Sequence, residues 1–323
     1  MLEEKILALL RQVDGPRSGG EMSRMLGVSR TMVWRGVEAL RAQGYQITSA
    51  PRRGYRLVGQ PDLLEGGRFH RAGGEPVVCL ETVDSTNNEC KRRALQGAPD
   101  GLAVVSAVQT GGRGRRGRGF VSPEGGLYLS MVLRPDLPPQ EIAPLTAWVA
   151  VAASWAVEDV TGLRPGVKWP NDLILLGRKL CGILTELALV GETGELDYLV
   201  VGVGINLTQR PEDWPPELAQ VAISLGQAMA QPPRRDQMAQ ALLTRLDALR
   251  RDFPGNPRPY LDYYRENCVN LGKHVRIIGP NGQESAFADG VSDAFALLLQ
   301  MPDGTRRSLT SGEVSVRNIE GAN

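Results

Sequence analysis

Residues 102–133 read "LAVVSAVQTGGRGRRGRGFVSPEGGLYLSMVL". Two apolar runs, Leu102–Gln109 and Leu127–Leu133, bracket a loop in which four arginines stand among five glycines, with no acid between Gln109 and Phe120. Runs of this length, bounded by turn residues, predict strands, so the basic loop is fixed at both ends to a sheet. A disordered Arg/Gly tail for nucleic acid needs long unanchored repeats, and this loop has none. Glycine lets a backbone close over a ligand, and the guanidinium fork matches phosphate or carboxylate. Each charge-assisted contact contributes roughly 1.5–3 kcal/mol, so about three suffice to order such a loop around an anion. The spacing is not G-x-x-x-x-G-K-[ST], which argues against a P-loop hydrolase. A small-molecule phosphate is the expected ligand; the alternative is a solvated basic loop without function.

Working outward, "PVVCLE", "DLILL", "GILTELALV" and "LVVGVGIN" supply further strands, mixed with helical stretches at 87–96, 141–159 and 236–252. Several strands follow one another closely, so a mixed sheet in an α/β body over residues 61–270 fits better than a strictly parallel one. Pro61 to Pro76, with four glycines, forms its lead-in. Residues 271–323 change character. "HVRII", "SAFADGVS", "FALLLQM", "TRRSLT" and "VSVRN" are short runs separated by Asn281-Gly282 and Asp303-Gly304, which are hairpin signals. A small SH3-like β-barrel is expected there.

Residues 1–60 read differently again. Ile6, Leu9, Leu10 and Val13 follow a helical period, and Met22, Met25 and Leu26 suggest a second helix closed by Gly27. Ser29 can cap a third helix with Val33, Val37 and Leu40 inward and Gly44 at its end. The outward set is then Arg30, Thr31, Trp34, Arg35 and Arg41. "YQITS" and "GYRLV" make a hairpin around Ala50-Pro51-Arg52-Arg53, completing a winged helix-turn-helix. Short polar and arginine side chains on the third helix suit a major groove. Ser29, Arg30, Thr31, Trp34, Arg35, Arg52 and Arg53 are the candidate DNA contacts; docking on another protein is the alternative. Charge favours DNA: the segment holds ten Lys/Arg against five Asp/Glu, while the whole chain nets only +1, and phosphate contacts supply most non-specific affinity.

Four dispersed cysteines without a C-x-x-C pair, and only two histidines, argue against a zinc site or disulfide framework. The opening residues do not resemble a signal peptide. The apolar run Pro144–Val157 is too short to span a bilayer and reads as a buried helix. A cytoplasmic chain with reduced thiols and no membrane role is expected.

Other stretches carry chemistry. In "VKWPNDLILL", Lys168 stands at a strand end in otherwise apolar surroundings, before a turn set by Pro170 and Asn171. Asn171 and Asp172 offer polar groups for water or Mg²⁺, and "GRKLCGILTEL" brings Lys179 back nearby. "ETVDSTNNE" puts Asp84, Ser85, Thr86 and Asn87 before a helix, where Thr86 and Glu89 fit a capping box. "VVGVGINL" ends a strand in Gly-x-Gly-x-Asn, where small residues admit a ligand.

In this order "DSTN", "QTGGRGRRGR", "SPEGGLYLS", "VKWPNDL", "KLCGIL", "GVGINL" and "WPPEL…ISL" resemble a biotin–protein ligase. "LGVSRTMVWRGVEALRAQGYQI…GYRL" is similar to the DNA-binding half of the bifunctional members, which also repress biotin-synthesis genes. The resemblance implies an ATP-dependent enzyme that forms biotinyl-5′-AMP and transfers biotin to a lysine of a biotin carboxyl carrier protein, a subunit of acetyl-CoA carboxylase. It implies ATP with Mg²⁺ (its protein ligands unknown), operator DNA and a homodimer. Carried over by position, it assigns biotin to Ser85, Thr86, Asn87, Gln109, Gly112, Arg113, Gly114, Arg115 and Lys168. The nucleotide falls to Arg115, Arg116, Arg118, Phe120, Asn171, Lys179, Asn206 and Arg317. Lys168 and Arg118 would be catalytic. Phe120 stands where a tryptophan is usual, and Trp214 where a phenylalanine is. Rival readings are a lipoate-type ligase, which shares the fold, and a ligand-sensing winged-helix regulator without turnover.

Overall fold

The computed structural model describes residues 2–13, 15–50, 53–59, 61–62, 64–279 and 282–316, which divide between two units, 1–63 and 64–323. The first holds α1 (Leu2–Arg11), α2 (Gly19–Leu26), α3 (Arg30–Ala42) and the antiparallel pair β1 (Gln46–Ala50) and β2 (Gly54–Gly59). Ile6, Leu10, Met22, Val33, Val37 and Leu40 form its core. Ser29 Oγ accepts from Met32 N at 3.2 Å, the N-cap expected of α3. Gly44 follows the helix at φ +88°, a left-handed position that favours glycine.

Three details of this unit differ from the sequence expectation. Val13 is exposed because α1 ends at Arg11, so the chain leaves the helix before the apolar stripe returns. Met25 is exposed too, whereas Met22 is buried in the core and Leu26 packs against it. Arg41 is only partly exposed: its guanidinium donates to Ile47 O and Glu38 Oε1, tying α3 to β1.

The second unit is built on a seven-stranded sheet ordered β3-β4-β5-β9-β8-β7-β6. Its strands are β3 (Val77–Val83), β4 (Ala103–Gln109), β5 (Gly126–Leu133), β6 (Gly166–Lys168), β7 (Asp172–Leu175), β8 (Arg178–Leu189) and β9 (Leu196–Asn206). Only β3 and β4 are parallel, so the sheet is mixed, as the close spacing of the strands suggested. The helices are α4 (Thr86–Leu95), α5 (Leu145–Thr161), the short α6 (Pro216–Ala219) and α7 (Leu225–Ala228), then α8 (Arg235–Asp252) and α9 (Arg258–Asn267). The sequence reading missed α9, whose pattern is carried by Tyr260, Tyr263 and Tyr264 rather than by aliphatic residues.

Strand alternation explains how one sheet makes both a core and a cleft. On β9, Leu199, Val201, Val203 and Ile205 point into the main core with α5 and α8. Tyr198 and Val200 point the other way, packing with Cys90 and Ala94 of α4. The next positions on that second face are Gly202 and Gly204, with Gly182 on β8 paired to Gly204. Missing side chains leave room there.

The tail is a five-stranded antiparallel sheet ordered β13-β12-β11-β10-β14, comprising β10 (His274–Gly279), β11 (Gly282–Val291), β12 (Leu297–Gln300), β13 (Arg306–Leu309) and β14 (Glu313–Val316). Among the described residues β13 and β14 are its two edges, without a ladder closing a barrel. The hairpin joins Gly279 to Gly282; Asn281 lies outside the described residues. Among those residues no helix is long and apolar enough to cross a membrane.

Candidate active site

The cleft opens over the glycine positions of the sheet. It is lined by Ser85–Asn87, Gln109, the loop residues Arg113–Arg116 and Arg118–Phe120, Lys168–Asp172 and Lys179, with Gly312 and Val314 from the tail. Tyr128, Gly182–Leu184 and Gly202–Gly204 complete the lining, so segments far apart in the chain meet in one cavity.

At one end the helix start is turned into a polar floor. Ser85, Thr86 and Asn87 are nearly inaccessible. Gln109 Oε1 accepts from Thr86 N at 2.8 Å and Thr86 Oγ1 at 3.1 Å, while its Nε2 donates to Ser122 Oγ. Ser130 Oγ lies 2.7 Å from Thr86 Oγ1 and 2.6 Å from Asn87 Oδ1. The capping box does not form. Ser85 is the N-cap residue, without a side-chain cap bond. Thr86 is already inside the helix and its hydroxyl is spent on Gln109, while Glu89 pairs with Arg92 and Arg93.

The loop that joins β4 to β5 folds as a tight turn. Gly114 N donates to Arg118 O at 2.7 Å, Arg118 N to Arg115 O, and Phe120 N to Gly112 O. Gly112 packs at its base: a Cβ there would stand 2.2 Å from Phe120 O. Arg116 takes a left-handed φ of 56° at the tip, a conformation unusual for a residue with a side chain. Arg113 pairs with Glu186 at 3.2 Å and donates to Asn88 Oδ1. Half-buried Arg115 donates to Asn171 Oδ1 at 3.1 Å and Gly312 O at 3.0 Å, bridging loop, sheet and tail. Arg116 and Arg118 are exposed at the mouth.

Lys168 ends β6, where Trp169 anchors the chain. Trp169 N donates to Asn270 Oδ1 at 2.8 Å and its indole N–H to Phe295 O at 3.1 Å, and the ring is buried. The ammonium of Lys168 lines the cleft and has no hydrogen-bond or ion-pair partner among the described residues. Lys179, in contrast, is paired with Asp172 at 2.8 Å and lies 5.7 Å from the centre of the Phe120 ring. Asn171 is also engaged, accepting from Arg115 and donating to Ile183 O. Among the described residues no group of three His, Cys, Asp or Glu could hold a metal.

Phe120 lies against the sheet floor. A Cβ on Gly204 would meet its ring at 2.5 Å and one on Gly182 at 2.8 Å. Asn206 is brought close but not into the cleft; it is buried, and its amide donates to Lys179 O and Ile223 O. Trp214 is buried away from the cleft lining. Arg317 and Arg52 lie outside the described residues. In the first unit Arg30, Thr31, Trp34, Arg35 and Arg53 are exposed. Sequence reasoning missed Ser130 and Glu186, whose only signal is polar residues at positions of strands that are otherwise apolar.

Comparison with known proteins agrees with this architecture. Residues 79–206 match the biotin/lipoate A/B protein ligase family, 3–56 an HTH domain, and 271–317 a biotin protein ligase C-terminal domain. The chain is 34% identical to the bifunctional ligase/repressor BirA of Bacillus subtilis, covering 90% of this chain and 91% of that one. It is 31% identical to the Escherichia coli protein of the same name, covering 98% and 97%. A solved biotin protein ligase from Aquifex aeolicus in complex with biotin and ATP superposes with a TM-score of 0.63 at 29% identity, covering 75% of this chain and 98% of that one.

Proposed function

Because the chain belongs to the family of bifunctional biotin–protein ligases and repressors, we propose that the cleft is where it activates biotin with ATP. The chain is a biotin ligase that carries an N-terminal helix-turn-helix domain suited to a repressor. The chemistry has two steps. A carboxylate oxygen of biotin attacks the α-phosphorus, the bond to the β,γ-phosphates breaks, and pyrophosphate leaves with the electron pair. A carrier lysine amine then attacks the biotinyl carbonyl, AMP departs, and the new amide nitrogen loses a proton.

The first step presses one anion onto another. Two unit charges about 4 Å apart repel by roughly 4 kcal/mol at an effective dielectric near 20. The proposal rests on the ammonium of Lys168, without a partner among the described residues, in a cleft that the arginine loop helps to line. We assign to Lys168 the bridge between carboxylate and α-phosphate, and to Arg118 a grip on phosphate. Ser85, Thr86, Asn87 and Gln109 hold the biotin end with Gly112, Arg113, Gly114 and Arg115. Arg115, Arg116, Phe120, Asn171 and Lys179 hold the nucleotide, with Asn206 bracing Lys179 from beneath. Cations placed where charge develops lower the barrier without a catalytic histidine. A closed loop also keeps water from the anhydride. Mg²⁺ enters as the counter-ion of ATP; Asp172, the carboxylate of the cleft lining among the described residues, is paired with Lys179.

We divide the labour as DNA binding in 1–60, catalysis in 61–270 and a contribution from 271–323 through the Gly312 contact. The proposed acceptor is a biotin carboxyl carrier protein, and the proposed state a cytoplasmic homodimer, to be measured by light scattering with and without biotin and ATP. ATP–pyrophosphate exchange tests the enzyme. Biotin should drive exchange while lipoate and octanoate do not. Exchange with lipoate alone would make it a lipoate-type ligase, and no exchange with any acid would make it a sensor.

A further inference from the structure

Glu186 on β8 stands on the cleft face of the sheet, two residues from Leu184 of the cleft lining. Its side chain is 17% exposed and both oxygens are used. Oε2 accepts from Asn87 Nδ2 at 2.9 Å. Oε1 receives Lys91 Nζ at 2.6 Å and the Arg113 guanidinium at 3.2 Å. One carboxylate thus touches the polar floor and the stem of the arginine loop together.

We infer that Glu186 is a positioning residue that couples the biotin-binding floor to closure of the arginine loop. The inference rests on the ligase reading and adds to it a residue that need not contact either substrate. An ionised carboxylate only accepts hydrogen bonds, so it draws the NH₂ of Asn87 toward itself. That leaves Asn87 Oδ1 for the hydroxyl of Ser130 at 2.6 Å. The floor is fixed from below as well, because a Cβ on Gly202 would stand 2.0 Å from Asn87 Oδ1; only a glycine leaves the amide in place. On its other side Glu186 offsets two cations that would repel each other, and so holds Arg113 at the hinge of the loop. Burial acts to raise its carboxyl, but Lys91 and Asn87 outweigh that and hold it below the ordinary value, so it is ionised at neutral pH.

The two contacts can be separated. Glu186→Gln can still accept from Asn87 but no longer offsets Lys91 and Arg113; Glu186→Ala loses both. In the full chain, Glu186→Gln should keep KM for biotin within about twofold and release biotinyl-AMP about tenfold faster, the effect of one charge-assisted contact. Glu186→Ala should add a rise of about tenfold in KM for biotin, with KM for ATP little changed. The double variant Glu186→Gln with Arg113→Gln should release biotinyl-AMP no faster than Arg113→Gln alone. Multiplicative effects of the pair, or equal losses for ATP and biotin, would overturn the coupling. So would unchanged release in both Glu186 variants of an enzyme that still exchanges. Absence of biotin-dependent exchange in the unmodified chain would instead remove the ligase reading on which the inference rests.

Discussion

Phe120 shows how much a missing side chain can decide. The ring fits because Gly182 and Gly204 leave the sheet bare beneath it, and Lys179 stands 5.7 Å from its centre. A smaller face than a tryptophan would offer still presents a π-surface for a nucleotide base. Gly204→Ala would put a methyl 2.5 Å from a ring carbon, so the ring must move. KM for ATP should rise several-fold while KM for biotin, which we assign to the Ser85–Asn87 end, stays near its original value. Steady-state kinetics with each substrate varied would check this, and a matched rise in both constants would mean that the residue serves the whole sheet. The glycines were readable as Gly-x-Gly-x-Asn, but not what lay on them. Strand alternation places Gly204 on the cleft face, whereas the identity of its neighbour depends on a loop folding back from about 80 residues away in sequence.

Among the elements, α3 and the hairpin β1–β2 were legible because local rules govern them: a Ser cap, a Gly stop, a period of 3.6 and a two-strand alternation. The tie of Arg41 to β1 was not legible because its partner, Ile47 O, comes from the following strand, and periodicity assigns a face but not a hydrogen bond. The same reason explains Thr86, whose hydroxyl is drawn to Gln109 at the end of β4. For the outward side of α3, phosphate neutralisation sets the expected behaviour. Arg35→Ala should weaken binding to a two-fold symmetric operator and reduce the slope of log K against log [salt] by about 1, the contribution of one phosphate contact. Fluorescence anisotropy across a salt series measures it. A slope unchanged by the substitution would place Arg35 away from the backbone of the DNA.

At the scale of the molecule, the candidate site is assembled from segments that lie far apart in the chain. Arg115 joins the loop to Asn171 and to Gly312 in the tail. Trp169, buried between Asn270 and Phe295, fixes the strand end that carries Lys168. The motifs named Arg115, Asn171 and Lys168, whose side-chain types stated the charge problem to be solved, but not Gly312, Asn270 or Phe295. Only the fold shows that Lys168 has no partner among the described residues while its neighbour Lys179 is tied to Asp172. Lys168 is therefore where the account is most exposed. Single-turnover formation of biotinyl-AMP by Lys168→Ala, set beside its equilibrium affinity for biotin, tests it directly. The expected result is a fall in rate of about a hundredfold or more, typical of losing one group that stabilises developing charge, with affinity for biotin changed less than about threefold. A loss of affinity equal to the loss of rate would contradict it, since the ammonium would then hold the substrate without easing its activation.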